Sequence, residues 1–399
     1  MRASRLSGCP PLLLALLASG PACAADDGLH LNAGISWHHD DNLLRLADND
    51  PGFGSQRDDS WRQYDAGASF DHLYGRQRVQ ASVQVSKVHF DYFKQLDYDG
   101  KDARATWYWQ LGNAFEGHLG ATYLQVLAPY ADLRTSARNL RTQHGTAFDG
   151  AWHLHPRWRA HFGLQVDRYA YELFSQLPNN RRERALESGI DYVAPSGSEA
   201  GLVVRRLVGR YLYRRPFAVA TDDFDQDEYR VRVNWLAGAK TTVNLLAGWT
   251  ARTQHAFGPG RSSGVTGRIA VAYAPTAKVS VDATLWRDFA PIESSVVSYT
   301  LNHGASIAAG WQATAKIRTT ASVSREQRQY SARFALPASP GRIDLNDSLR
   351  TAGLSLTYAP ERKVQLGMLL AKEVRGGSRA LGIGAYHSTS FGITASVAF

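Results

Sequence analysis

An all-β fold is predicted by three observations on this 399-residue chain. From Leu29 onward apolar and polar residues alternate with period two, as in Tyr229, Val231, Val233 and Trp235 against Glu228, Arg230, Arg232 and Asn234. Short turns alternate with long polar stretches along the whole chain. No apolar run approaches the roughly 18 residues of a spanning helix, and no linker or low-complexity tract divides the chain. Together they predict one antiparallel transmembrane β-barrel of about eighteen strands, with short periplasmic turns and longer extracellular loops.

In order along the chain, residues 1–24 read as a secretory signal: Arg2 and Arg5, an apolar run from Leu12 to Leu17, then small residues at Ala22-Cys23-Ala24. Gly20 stands where a lipid anchor at Cys23 would require an aliphatic residue, so cleavage is expected after Ala24, leaving 25–399 as the barrel. Cys9 and Cys23 are the two cysteines, and both fall in the signal, so the barrel is expected to contain neither disulfide nor thiolate metal site. Strand pattern begins at Leu29, which leaves no room for a large N-terminal plug. Short turns are read at 73–77, 111–115, 155–157, 194–198, 237–240, 274–278, 310–316 and 359–363. Long stretches are read at 41–60, 93–100, 128–139, 173–182, 214–225, 254–262, 289–294, 329–345 and 374–382. Hairpins recur roughly every 40 residues, as propeller blades do, but two strands of ~10–14 residues per repeat fit a tilted membrane crossing and not a four-stranded blade.

The last strand, "SFGITASVAF", sets Phe391, Ile393, Ala395, Val397 and Phe399 on one face. An unpaired backbone group costs several kcal/mol in hydrocarbon, so this strand is expected to pair with the first and close the sheet. Its terminal aromatic, with Phe391, resembles the C-terminal assembly signal of bacterial outer-membrane barrels, which implies the barrel assembly machinery as a partner. Trp107, Trp109, Trp158, Tyr192, Tyr273 and Tyr358 lie near strand ends and read as two interfacial girdles.

With the apolar face in lipid, the other face lines a lumen. Arg104, Arg230, Arg232, Arg268, Lys316 and Arg318 are the expected basic lining of a solute path, interspersed with acids such as Glu116, Asp149, Asp167, Glu228 and Asp282. Removing Arg2 and Arg5 from the 45 basic residues leaves 43 against 36 acidic, a modest excess. Such a wall would lower the barrier for acidic sugars and stack them on aromatics, or it would pair internally for rigidity and pass small anions at large. The loops 41–60 and 329–345 are long enough to fold inward.

Neither a catalytic site nor a cofactor or metal site is expected. "WHHDDN" (37–42) and "HLHP" (153–156) lack the spacing of a zinc motif, and no GxSxG occurs. The nearest hydrolase-like set, Asn302, His303 and Ser306, puts His303 on the lipid-facing parity. The basic run "VVRRLVGRYLYRRP" (203–216) alternates as a barrel wall should and then enters a loop at Arg214 and Arg215, so no nucleic-acid partner is expected.

"SWHHDDNLLRLAD" (36–48), in which a first strand runs into Asp41, Asn42, Leu43 and Arg45, resembles the opening of EpsL-type outer-membrane barrels encoded with exopolysaccharide genes. The stretches 70–112 and 141–164 are similar to the same family, and wide basic barrels that secrete acidic polysaccharide are a looser likeness. The resemblance implies an outer-membrane channel taking part in exopolysaccharide biosynthesis or export beside other export components. It supplies no residue-level binding site. A general or anion-selective porin and a non-conducting structural component of an export complex are the alternatives.

Overall fold

The computed structural model describes residues 28–399 except 132, 214–222, 256–259, 292–296, 333–344 and 379–383; the expected signal, 1–24, lies outside the described residues. Eighteen strands follow one another: β1 Gly28–Asp40, β2 Asp59–Tyr74, β3 Gln77–Phe90, β4 Tyr98–Leu111, β5 Phe115–Leu127, β6 Leu140–His155, β7 Trp158–Tyr171, β8 Arg181–Val193 and β9 Glu199–Tyr211. They continue as β10 Phe224–Leu236, β11 Thr241–Gln254, β12 Gly260–Thr276, β13 Val279–Pro291, β14 Val297–Gln312, β15 Ile317–Ala332, β16 Asn346–Glu361, β17 Val364–Arg375 and β18 Tyr386–Ala398. The only helical pieces among the described residues are two 3₁₀ segments in the loops, Lys94–Leu96 and Phe174–Asn179.

Each strand pairs antiparallel with its sequence neighbours, and β1 pairs with β18 from Asn32↔Ala398 to Asp40↔Ser390, so the sheet is a closed barrel. Closure leaves no edge, which is the condition for strands to stand in hydrocarbon. The connections at one end are turns of two to five residues, at the positions read from the sequence. Gly75 and Gly112 adopt positive φ of 62° and 59° there, a conformation that costs glycine nothing and lets the strands reverse tightly.

Burial of the two faces is inverted relative to a soluble protein. The outward residues are apolar and uncovered: Leu285 is 57% exposed, Val323 56%, and Leu164, Leu202, Val265, Ile307, Leu354 and Ile393 are exposed too. Inward residues include the buried Ser36, Arg159, Asp191, Glu228, Thr250 and Glu326. An apolar exterior around a polar interior in a closed antiparallel sheet is the architecture of outer-membrane barrels, and it places this chain in the outer membrane, in contact with lipid. The six aromatics expected to form two girdles all stand within five residues of a short turn and so form one, at the periplasmic rim; the opposite rim carries Trp37, Tyr64 and Tyr123 instead.

A buried apolar cluster lies inside the barrel under its extracellular mouth: Leu44, Leu46, Val88, Phe90, Phe93, Leu96 and Tyr130. Val88 and Phe90 are inward residues of β3, and the others come from loops, so the cluster records loops folded into the lumen.

Candidate functional site

The segment Asp40 to Leu46 turns the chain inward at the end of β1. Asp40 Oδ1 accepts from the Asn42 backbone N–H at 2.9 Å, from Arg45 Nη1 at 2.9 Å and from Ser388 Oγ at 2.8 Å. Asn42 accepts from the Leu46 N–H at 2.9 Å and donates to the carbonyls of Leu46 at 2.8 Å and His387 at 3.0 Å. Arg45 takes a left-handed φ of 54°, unusual for a residue with a Cβ, and is held there by Asp40 and by Glu373 at 3.4 Å. Burial opposes its charge, but Asp40 and Glu373 outweigh burial and keep its pKa above the ordinary arginine value. Arg57 then donates to the carbonyls of Ala47, Asp50 and Leu46 at 2.7, 2.5 and 3.1 Å. With its polar groups satisfied locally, the turn can press Leu44 and Leu46 onto Val88 and Phe90.

The loop 128–139 joins it. Tyr130 packs into the same cluster and donates its hydroxyl to the Ala137 carbonyl at 2.8 Å. Arg134 donates to Asp50 at 2.6 Å, tying the two loops together and holding that carboxyl below its ordinary range. Arg138 does the same to Glu172 at 2.6 Å. On the far side, Arg375 at the end of β17 pairs with Asp347 at 2.5 Å, donates to the Tyr330 hydroxyl at 2.8 Å and donates its Nη1 hydrogen to the Ala131 carbonyl. Tyr330 in turn donates to Asp347 at 2.8 Å. Around the barrel β5 and β17 are separated by β4, β3, β2, β1 and β18, so this bond spans the mouth.

Below the mouth the inner wall of β7 to β15 is charged and paired. Glu228 is shared by Arg205 at 3.1 Å and Arg230 at 2.8 Å, Arg232 pairs with Glu187 at 2.5 Å, and Arg159 with Glu199 at 2.9 Å. Asp191 takes Arg159 at 3.3 Å and His161 at 2.9 Å. Two stacks interrupt the ladder. Phe224 covers Gly209, where a Cβ would come within 2.1 Å of the ring, and the Arg252 guanidinium lies over the same ring, 3.6 Å from its centroid. Trp286 covers Gly304 in the same way, donates to Glu326 at 3.1 Å and has Arg268 at 5.8 Å. The glycines let each ring lie flat on the wall, and the arginines gain cation–π contact.

Among the basic residues expected to line a path, Arg230, Arg232 and Arg268 come together on β10 and β12. Arg104 faces the lumen from β4, across the barrel, and is paired with Asp102 at 2.7 Å. Arg318 lies on the inward parity of β15 near the periplasmic end. Lys316 is in the turn before β15 and donates to the Pro360 carbonyl at 2.6 Å, so it belongs to the periplasmic surface and not to the strand wall. Asn302 and Ser306 point inward while His303 points outward and contacts Gln327 at 2.6 Å, so the three do not converge. Among the described residues no group of three His, Cys, Asp or Glu could hold a metal. The inward fold of 41–58 agrees with the length of that stretch; most of 329–345, and Arg214 and Arg215, lie outside the described residues. Stretch 128–139 was read as a long loop, but its inward packing and the part of Arg375 in holding it were not anticipated. A tyrosine inside a polar loop and an arginine closing an inward parity were their only traces in the sequence.

No family model matches the chain, and no curated protein matches it. Solved outer-membrane structures do. OccK2 (OpdF) of Pseudomonas aeruginosa aligns over 94% of this chain and 98% of its own at 10% identity, with a TM-score of 0.49. A BenF-like porin from Pseudomonas fluorescens aligns over 94% and 99% at 9% identity and TM-score 0.49. The siderophore receptor PirA of P. aeruginosa aligns over 94% and 80% at 10% identity and TM-score 0.43. The chain is an outer-membrane β-barrel, on the grounds of its closed sheet and inverted faces.

Proposed function

We propose that this barrel is a passive outer-membrane conduit for exopolysaccharide, working beside the apparatus that makes and exports the polymer. The observation that carries the reading is the wall of β7 to β15: arginine–carboxylate pairs that can exchange partners with a sugar's hydroxyl and carboxylate groups, beside aromatic faces laid flat over glycine. Sixteen- to eighteen-stranded barrels are too wide for side chains to fill, which leaves room for a hydrated chain. The turn built by Asp40, Asn42 and Arg45 gives a structural purpose to the residues that carry the resemblance to EpsL-type barrels.

Deleting the gene is expected to abolish extracellular polysaccharide while lipid-linked and cytoplasmic precursors persist; unchanged extracellular polymer would overturn the reading. The mouth-spanning Arg375–Ala131 bond favours a second reading, a loop-closed barrel that holds export components and conducts nothing. Purified protein that stays electrically silent in planar bilayers, even with loop 128–139 deleted, would decide for it.

A further inference from the structure

On β7 to β9 a run of outward charges stands at the extracellular rim, facing lipid and not lumen. On the outward parity of β7 the sequence runs Trp158, Ala160, Phe162, Leu164, Val166 and then Arg168. β8 begins with outward Arg182 and Arg184 before Leu186, and β9 ends with outward Arg206 and Arg210 after Leu202 and Val204. The register places Arg168 opposite Arg182, and Arg182 opposite Arg210, so three guanidinium groups form a row across three neighbouring strands. Like charges directly opposite each other on a sheet repel, and a protein carries such a row at a cost unless an anion offsets it.

The protein offsets only part of it. Arg210 pairs with Asp225 at 3.0 Å and Arg206 lies 3.9 Å from Asp227. Arg168, Arg182 and Arg184 make no ion pair among the described residues, and Arg182 Nε is buried without a hydrogen-bond partner. Directly beneath them, on the same face, Leu164, Leu186, Leu202 and Val204 are exposed at the level of acyl chains. A ligand that satisfies both halves must carry phosphate or another compact dianion at one end and hydrocarbon at the other, and must reach the rim from within the outer leaflet.

We propose that the β7–β9 rim is a binding site for the phosphorylated headgroup of an outer-leaflet glycolipid, held by Arg168, Arg182 and Arg184 with its acyl chains along Leu164 and Leu186. Arginine forks bind phosphate bidentately, and the dry side of the site strengthens each contact.

The test uses the full-length protein purified in non-ionic detergent and charged with bisphosphorylated lipid A, its dephosphorylated counterpart or phosphatidylglycerol, with retained lipid counted by native mass spectrometry. Bisphosphorylated lipid A is expected to survive release from the micelle, to be retained about tenfold more than either other lipid, and to resist millimolar inorganic phosphate. The triple variant Arg168→Gln, Arg182→Gln, Arg184→Gln is expected to lose that advantage while keeping the heat-modifiable gel migration of a folded barrel. Equal retention of the dephosphorylated lipid by the wild-type protein, a comparison that needs no variant to fold, would overturn the proposal. So would equal retention by the folded triple variant, or displacement by inorganic phosphate, which would assign the row to a free anion.

Discussion

Arg375 shows how much one side chain can hold at this mouth. Its side chain is 1% exposed and that of its partner Asp347 is fully covered, so the pair is desolvated and removing one member strands the other. Breaking a buried pair typically costs about 3–5 kcal/mol. Arg375→Met is therefore expected to free loop 128–139 locally, speeding amide exchange over residues 128–139 about 10²-fold, as read by mass spectrometry on the folded protein. Exchange that stays at the wild-type rate would mean that the Tyr130 cluster alone fixes the loop. The Arg134–Asp50 and Arg138–Glu172 pairs are a contrast: both are solvated on at least one side, and pairs of that kind contribute below about 1 kcal/mol. Arg375 was not legible as a latch, because nothing local to it marks the distant Ala131 carbonyl as its acceptor.

At the scale of the strand, the physics is set by parity. A one-residue step moves a side chain from lipid to lumen, so neighbours should respond oppositely to the same charge. Val323 faces outward at mid-height of β15 and Ser322 faces inward beside it. Val323→Arg should destabilise folding into lipid vesicles by about 2–4 kcal/mol, whereas Ser322→Arg should change it little; urea titration in the vesicles measures both. Equal losses would contradict the assignment of faces. Strand positions, turn positions and lumen parity were all readable, since a period of two survives any register that keeps one face in hydrocarbon. Lys316 escaped that rule because it sits just beyond the last ladder pair of its strand, where parity no longer dictates direction.

For the whole molecule, closure is the decisive event. Phe399 donates its backbone N–H to the Leu31 carbonyl at 2.8 Å, and its ring is 65% exposed on the outside. The backbone bond needs no aromatic, so Phe399→Ala should fold into vesicles as the wild type does. If the ring, with Phe391, is what the assembly machinery reads, the same variant should reach the outer membrane of cells severalfold less, measured by heat-modifiable monomer in membrane fractions. Normal assembly in cells would remove that role from Phe399.

The sequence by itself determined the closed all-β sheet, its strand count, the side of each turn and which residues meet lipid, because these follow from alternation along the chain and from the demand that every backbone group in hydrocarbon be paired. Only the tertiary structure decided what occupies the mouth and which charges are neutralised. Arg45 with Glu373, Arg134 with Asp50 and Arg375 with Ala131 join loops to one another and to β17 across intervening strands, while the unpaired row on β7 and β8 exists only once their register is fixed. Contacts of that kind depend on three-dimensional proximity between segments from 84 to more than 300 residues apart, and a repeating pattern along one strand carries no record of them.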